Sequence, residues 1–144
     1  MQPPNKQLLL VDDRIKYSRI ISDFFTSRGY LVDHAVTARE GIGLLEERGI
    51  GHYRVVVTDI TMEHQLAGLE LIYYLFKKKY NGTVVMASTG FDAFLGMFFS
   101  KLFMGIFGVH YLIPKTTVIK GTFEFYPARP GSRPKKEFVE IAST

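Results

Sequence analysis

The chain has 144 residues, a length that suits one domain with a sizeable core. Hydrophobic residues make up 47% and charged residues 22%, which excludes a mostly disordered chain; the absence of cysteine excludes a disulfide framework or a thiolate metal centre and favours an intracellular setting. The formal charge of +4 sits in the tail, since residues 115–144 hold six basic and three acidic side chains, leaving +1 for the first 114 residues. A solvated tail is the plain reading of that surplus, with nucleic-acid or membrane-surface contact as the rival.

Residues 1–6 (MQPPNK) lack the charged-then-apolar layout of a signal peptide. Residues 8–11 (LLLV) predict a first strand, which ends on Asp12 and Asp13. Residues 14–28 predict a helix, with Tyr17, Ile20, Ile21, Phe24 and Phe25 forming one buried stripe and Gly29 at its C′ position. A second strand over 30–35 (YLVDHA) is less apolar than the first and belongs nearer a sheet edge. Thr37 is placed to N-cap a helix over 38–48, with Glu40 three residues on completing a capping box and Gly49 ending it.

Residues 54–60 (RVVVTDI) read as a strand buried on both faces, ending on Asp59. After the loop TMEHQLAG, residues 69–79 predict a helix with Leu69, Ile72, Leu75 and Phe76 inward and a basic end that suits its dipole. Asn81-Gly82 marks a turn, residues 83–88 (TVVMAS) a fourth strand, and residues 111–113 a short fifth strand before Pro114-Lys115. Strands alternating with helices predict an α/β fold: a parallel sheet with helices on both faces.

Two apolar strands that each end in acids form the chemical signal. Open α/β sheets bind ligands at the carboxyl ends of their strands, so Asp12, Asp13 and Asp59 are expected in one pocket. Clustered carboxylates repel one another without a cation and suit a hard one such as Mg²⁺. By itself, Asp12-Asp13 reads equally well as a cap on the first helix.

These residues resemble the receiver domain of bacterial two-component response regulators. The match rests on Asp12-Asp13 after strand one, Asp59 after strand three with Met62 three positions on, Thr89 after strand four and Lys115 after strand five, and covers about residues 7–115. The resemblance implies a flavodoxin-like, three-layer α/β/α receiver with a five-stranded parallel sheet of order 2-1-3-4-5. It implies that Asp59 accepts a phosphoryl group from a histidine kinase or phosphotransfer protein. Asp12, Asp13, Asp59 and the backbone carbonyl of Thr61 would hold Mg²⁺ (or Mn²⁺), Thr89 and Lys115 would contact the phosphoryl group, and Tyr111 would be the aromatic switch. Such a domain catalyses only its own phosphorylation and dephosphorylation, works in the cytoplasm and signals through a downstream protein. The rival reading is a pseudo-receiver, an interaction or dimerisation module not regulated by phosphorylation.

The chain departs from the family pattern in four places. Glu63 stands where a proline is usual and Gly68 lies one residue late, so Glu63 and His64 come close to the pocket. Phe91, two beyond Thr89, and Thr61, two beyond Asp59, occupy positions that influence phosphoryl lifetime; bulky Phe91 is expected to slow hydrolysis. Pro114-Lys115 reverses the usual order, so either a one-residue slip brings Lys115 to the site or the clamp is missing, and the Ile113–Pro114 bond becomes the candidate cis bond.

Residues 91–109 read as an atypical fourth helix, apolar almost all round. Lys101 near its midpoint would cost about 2.5–3.5 kcal/mol in a bilayer, and a spanning helix would tear the fourth and fifth strands apart, so no integral membrane segment is expected. A cover is expected instead, from the tail or from a homodimer partner. The expected fifth helix gives way to an extended segment over 117–126, a linker over 127–134 and a short helix beyond. The domain reading is thus a flexible 1–6, a receiver over 7–116 and a C-terminal extension over 117–144. No effector domain is expected within these 144 residues, and nucleic acid is not expected as a partner.

Overall fold

In the computed structural model, which describes residues 5–59, 67–88, 109–121, 123 and 126–127, the apolar runs form one sheet. Strands β1 (Gln7–Val11), β2 (Leu31–Ala35), β3 (Val55–Asp59), β4 (Thr83–Ser88) and β5 (Tyr111–Pro114) are parallel, in the order β2-β1-β3-β4-β5. This is the predicted flavodoxin-like sheet. Its lateral register is in step at the carboxyl ends, where Val11 pairs with both Ala35 and Thr58, Asp59 with Ala87, and Ala87 with Ile113.

The helices cover both faces. α2 (Ala38–Arg48) and α3 (Ala67–Lys77) pack on Leu9, Val11, Val56, Val84, Met86 and Leu112, whereas α1 (Ile15–Thr26) packs on Leu8, Leu10, Val55, Val57, Val85 and Ile113. The split follows the period-two alternation of each strand. α2 comes so close to β1 that a Cβ on Gly41 would lie 2.9 Å from Val11 Cγ2. Thr37 caps its start as expected, Oγ1 accepting from Glu40 N at 3.0 Å, but Glu40 Oε2 accepts from Val36 N at 2.8 Å, one residue before the Thr37 N–H of a standard capping box. Gly29 leaves α1 with φ +88, a conformation in which a side chain would be strained.

The fold corrects several expectations. α1 is shorter at both ends than residues 14–28, and its deepest side chains are Ser18, Ile21 and Phe25, with Tyr17, Ile20 and Phe24 half-buried. On α3, Leu71 is buried with Ile72 and Leu75, while Phe76 is 49% exposed. One residue past Leu75 turns the side chain 100° further round, off the sheet-facing stripe.

Beyond β5 the chain is not simply extended. Lys115–Val118 forms one helical turn, Gly121 takes φ +80, and β6 (Tyr126–Pro127) returns antiparallel onto β5, pairing Tyr126 with Leu112 and Pro127 with Tyr111. The sheet therefore gains a short sixth strand beside Tyr111 and Leu112 of β5, and β2 and β6 are its outer strands among the described residues. Among the described residues no peptide bond is cis, so Ile113–Pro114 is trans, and no helix is long and apolar enough to cross a membrane. Residues 91–108 lie outside the described residues.

Candidate functional site

Alternation along the strands decides where the acids point. Leu8, Leu10 and Asp12 share one face of β1, and Val55, Val57 and Asp59 share the same face of β3. Both carboxylates therefore open onto the α1 side at the carboxyl ends of neighbouring strands. Asp12 is 1% exposed and Asp59 1%, and one carboxylate oxygen from each of Asp12, Asp13 and Asp59 falls within 4.8 Å of the others.

Asp12 is held at several points. Its N–H donates to Ala35 O at 3.0 Å, its carbonyl lies 2.8 Å from His34 Nε2, and Oδ1 accepts the Arg14 N–H at 2.9 Å. The last bond closes a local turn ahead of α1, whose N-cap residue Arg14 has no side-chain cap hydrogen bond, so Asp12 does not cap the helix in the expected way. Asp13 differs: its Oδ1 is buried with no hydrogen-bond partner among the described residues. A buried carboxylate oxygen left in that state is costly unless a cation satisfies it.

Lys115 answers the question raised by Pro114-Lys115. Pro114 is the last residue of β5, in register with Ser88, and Lys115 opens the helical turn that follows. From there its Nζ reaches Asp59 Oδ2 at 2.5 Å and Asp12 Oδ2 at 2.8 Å, with the lysine side chain fully buried. The contact to Asp59 is a directed hydrogen bond, whereas Asp12 Oδ2 accepts none and meets the ammonium as an ion pair. By register Ala87 stands between Asp59 and Ile113, and its small side chain leaves room for the lysine to cross β4. The slip of one residue thus brings Lys115 to the pocket.

Burial pushes the Asp12 carboxyl above the usual carboxylate range; the close Lys115 ammonium and the Arg14 N–H oppose that shift, and the Asp59 charge adds to it. The lysine alone does not offset the cost of enclosing this carboxylate. The donor set is therefore chemically suited to a hard divalent cation: three converging carboxylates, one with an orphaned oxygen, and an aspartate whose charged form is disfavoured.

Two features here escaped sequence reasoning. Tyr17, expected only as part of the α1 core stripe, places its ring centroid 4.6 Å from Lys115 Nζ. His34 braces the Asp12 carbonyl from β2. The available signal for Tyr17 was its place in the first turn of the helix that follows the acids. Tyr111 is buried beneath the site in the α1-side core, where burial raises its phenol pKa, and it pairs with β6. Thr61, Glu63, His64, Thr89 and Phe91 lie outside the described residues.

The model of the family described as "Response regulator receiver domain" matches residues 8–104. No curated protein matches the chain. Among solved structures, the chain is similar to the receiver domain of a Francisella response regulator at 25% identity, with TM-score 0.65, covering 81% of this chain and 89% of that one. It is similar to a receiver domain protein from Clostridium thermocellum at 20% identity, TM-score 0.64, covering 80% and 91%. A CheY-like receiver domain protein from Methanospirillum hungatei matches at 20% identity and TM-score 0.62, covering 97% and 93%.

Proposed function

We propose that this chain, which belongs to the response regulator receiver family, is a phosphorylation-controlled signalling receiver whose phosphoacceptor is Asp59. The observation that carries the reading is the buried Lys115 ammonium held by Asp59 and Asp12 beside the unsatisfied Asp13 oxygen. Asp59 is one of two buried aspartates in this group, and it ends the central strand, where an incoming phosphoryl group meets it from the loop side.

In the proposed reaction an Asp59 carboxylate oxygen attacks the phosphorus of a phosphohistidine. The P–O bond forms as the P–N bond breaks, and the imidazole leaves with the bonding pair. Lys115 stands ready to exchange Asp59 Oδ2 for a phosphoryl oxygen, stabilising charge that develops there. Asp12, Asp13, Asp59 and the Thr61 carbonyl would hold Mg²⁺ or Mn²⁺, which supplies charge neutralisation to the phosphoryl oxygens when bound. Thr89 is assigned to another phosphoryl oxygen and Tyr111 to the switch. Residues 7–116 form the receiver in this reading, 117–144 an extension, and the output is a protein contact in the cytoplasm after transfer from a histidine kinase or phosphotransfer protein.

Incubation with acetyl phosphate and Mg²⁺, followed by intact mass, tests this. Wild type should gain one acid-labile phosphoryl group that Asp59→Asn lacks. A second reading, the pseudo-receiver, is favoured by Glu63 and the one-residue insertion in the loop after Asp59. Absence of the adduct on wild type would select it.

A further inference from the structure

We infer that Tyr17 is a positioning residue that holds the Lys115 ammonium in place for phosphoryl transfer, an assignment that rests on the phosphoacceptor reading of Asp59. The ammonium has three N–H groups and is fully buried. One N–H is donated to Asp59 Oδ2 at 2.5 Å, and Asp12 Oδ2 lies 2.8 Å away as an ion-pair partner. Toward α1 it meets the Tyr17 ring, 4.6 Å to the centroid, inside the range of a cation–π contact.

The ring does what a carboxylate in that position could not. A third acid would hold the lysine in a deeper ionic well and add negative charge to a pocket that must accept an anionic phosphoryl group. A ring face attracts the cation through its quadrupole, carries no net charge and excludes water. Lys115 also has few covalent constraints that would hold it there. It is the first residue of a single helical turn and arrives one residue later than the family pattern. Its side chain must span from β5 past β4 to Asp59 on β3. α1 is fixed independently by Ile21 and Phe25 in the core, so it offers a rigid base from which Tyr17 can restrain the lysine's last rotamers.

When the phosphoryl group arrives, the lysine gives up Asp59 Oδ2 for a phosphoryl oxygen while the ring keeps it dry and on the α1 side. Tyr17 thus acts through Lys115 and touches neither donor nor acceptor. The hydroxyl is not required, so phenylalanine should serve as well as tyrosine, and an aliphatic side chain of similar bulk should not.

The test pairs two readouts on the full chain with ¹⁵N-labelled lysine. The first is the protected Lys115 ammonium signal by NMR, identified by its loss in Lys115→Ala. It should be present in wild type and Tyr17→Phe, and exchange-broadened in Tyr17→Leu and Tyr17→Met. The second is the rate of phosphoryl uptake from phosphoramidate with Mg²⁺. Tyr17→Phe should stay near wild type, Tyr17→Leu should fall about tenfold, and Tyr17→Leu should add no further loss to Lys115→Ala. An ammonium signal as protected in Tyr17→Leu and Tyr17→Met as in wild type overturns the inference whatever the uptake arm shows. So does a tenfold loss that persists unchanged on top of Lys115→Ala. A wild type that takes no phosphoryl group on Asp59 removes the phosphoacceptor reading instead, leaving the ammonium arm to decide the role of Tyr17. If Tyr17→Leu does not fold, Tyr17→Met carries both arms.

Discussion

Lys115 Nζ and Asp59 Oδ2 lie 2.5 Å apart with neither side chain exposed, and the pair joins the first residue after β5 to the last residue of β3. Removing the cation leaves Asp59 and Asp12 enclosed without their shared counter-charge. Lys115→Ala should therefore destabilise the metal-free protein by about 3 kcal/mol at neutral pH, the scale for breaking one side of a buried ion pair. Urea unfolding with and without Mg²⁺ measures it, and millimolar Mg²⁺ should recover part of the loss. A variant as stable as wild type would mean that the pair is not desolvated.

Asp12 sets a pH dependence. Its folded-state pKa is raised, chiefly by burial, above the value it has in the unfolded chain. Protonation therefore favours the folded state. The associated stability is full below the unfolded pKa and is lost as pH rises through the raised folded pKa. At pH 7 the charged Asp12 is a net cost, so Asp12→Asn should raise the melting temperature of the metal-free protein. The gain should vanish near pH 3, where the wild-type carboxyl is itself protonated in both states, and the same substitution should abolish any Mg²⁺-induced rise. Calorimetry across that range reads both effects.

A second titration sits at the other end of the pH scale. Burial, with hydrogen bonding to Asp33 Oδ2 at 2.6 Å, raises the Tyr53 phenol, and burial raises Tyr80, whose hydroxyl donates to Tyr53 O at 2.8 Å. Both folded-state values lie above the unfolded one, so the stability they contribute begins to fall at about pH 10, where the unfolded phenols ionise. Absorbance at 295 nm should show these two tyrosines ionising only with alkaline unfolding. Tyr80→Phe should shift that unfolding to higher pH.

Phe123, beyond the helical turn after β5, is held to α1 by an aromatic stack. Phe123 lies 3.9 Å from Phe24, centroid to centroid and 19° from parallel, and the Arg28 guanidinium sits 3.6 Å over the Phe24 ring. Phe123→Ala should cost about 1–2 kcal/mol, from the lost stack and the apolar area uncovered. Limited proteolysis should then cut after Lys120 faster than in wild type.

The sequence by itself determined the parts of this protein that local chemistry encodes. Apolar runs of three or four residues named β1, β3, β4 and β5, the polar content of β2 put it at the edge, and Thr37 with Glu40 marked the start of α2. Acids at strand ends named Asp12, Asp13 and Asp59, because a parallel strand delivers its last residue to a common rim whatever lies beyond it. Tertiary structure alone decided that Lys115, and not Pro114, meets that rim. The outcome depends on the register of β5 against β4 and on the one turn that follows, which adjacent residue types do not reveal. It alone placed Tyr17 against the lysine, turned Phe76 outward and Leu71 inward, and folded Tyr126–Pro127 back onto Tyr111 and Leu112 as a sixth strand. These relationships join residues far apart in the chain, and their energies come from packing and desolvation, which exist only once the sheet has assembled.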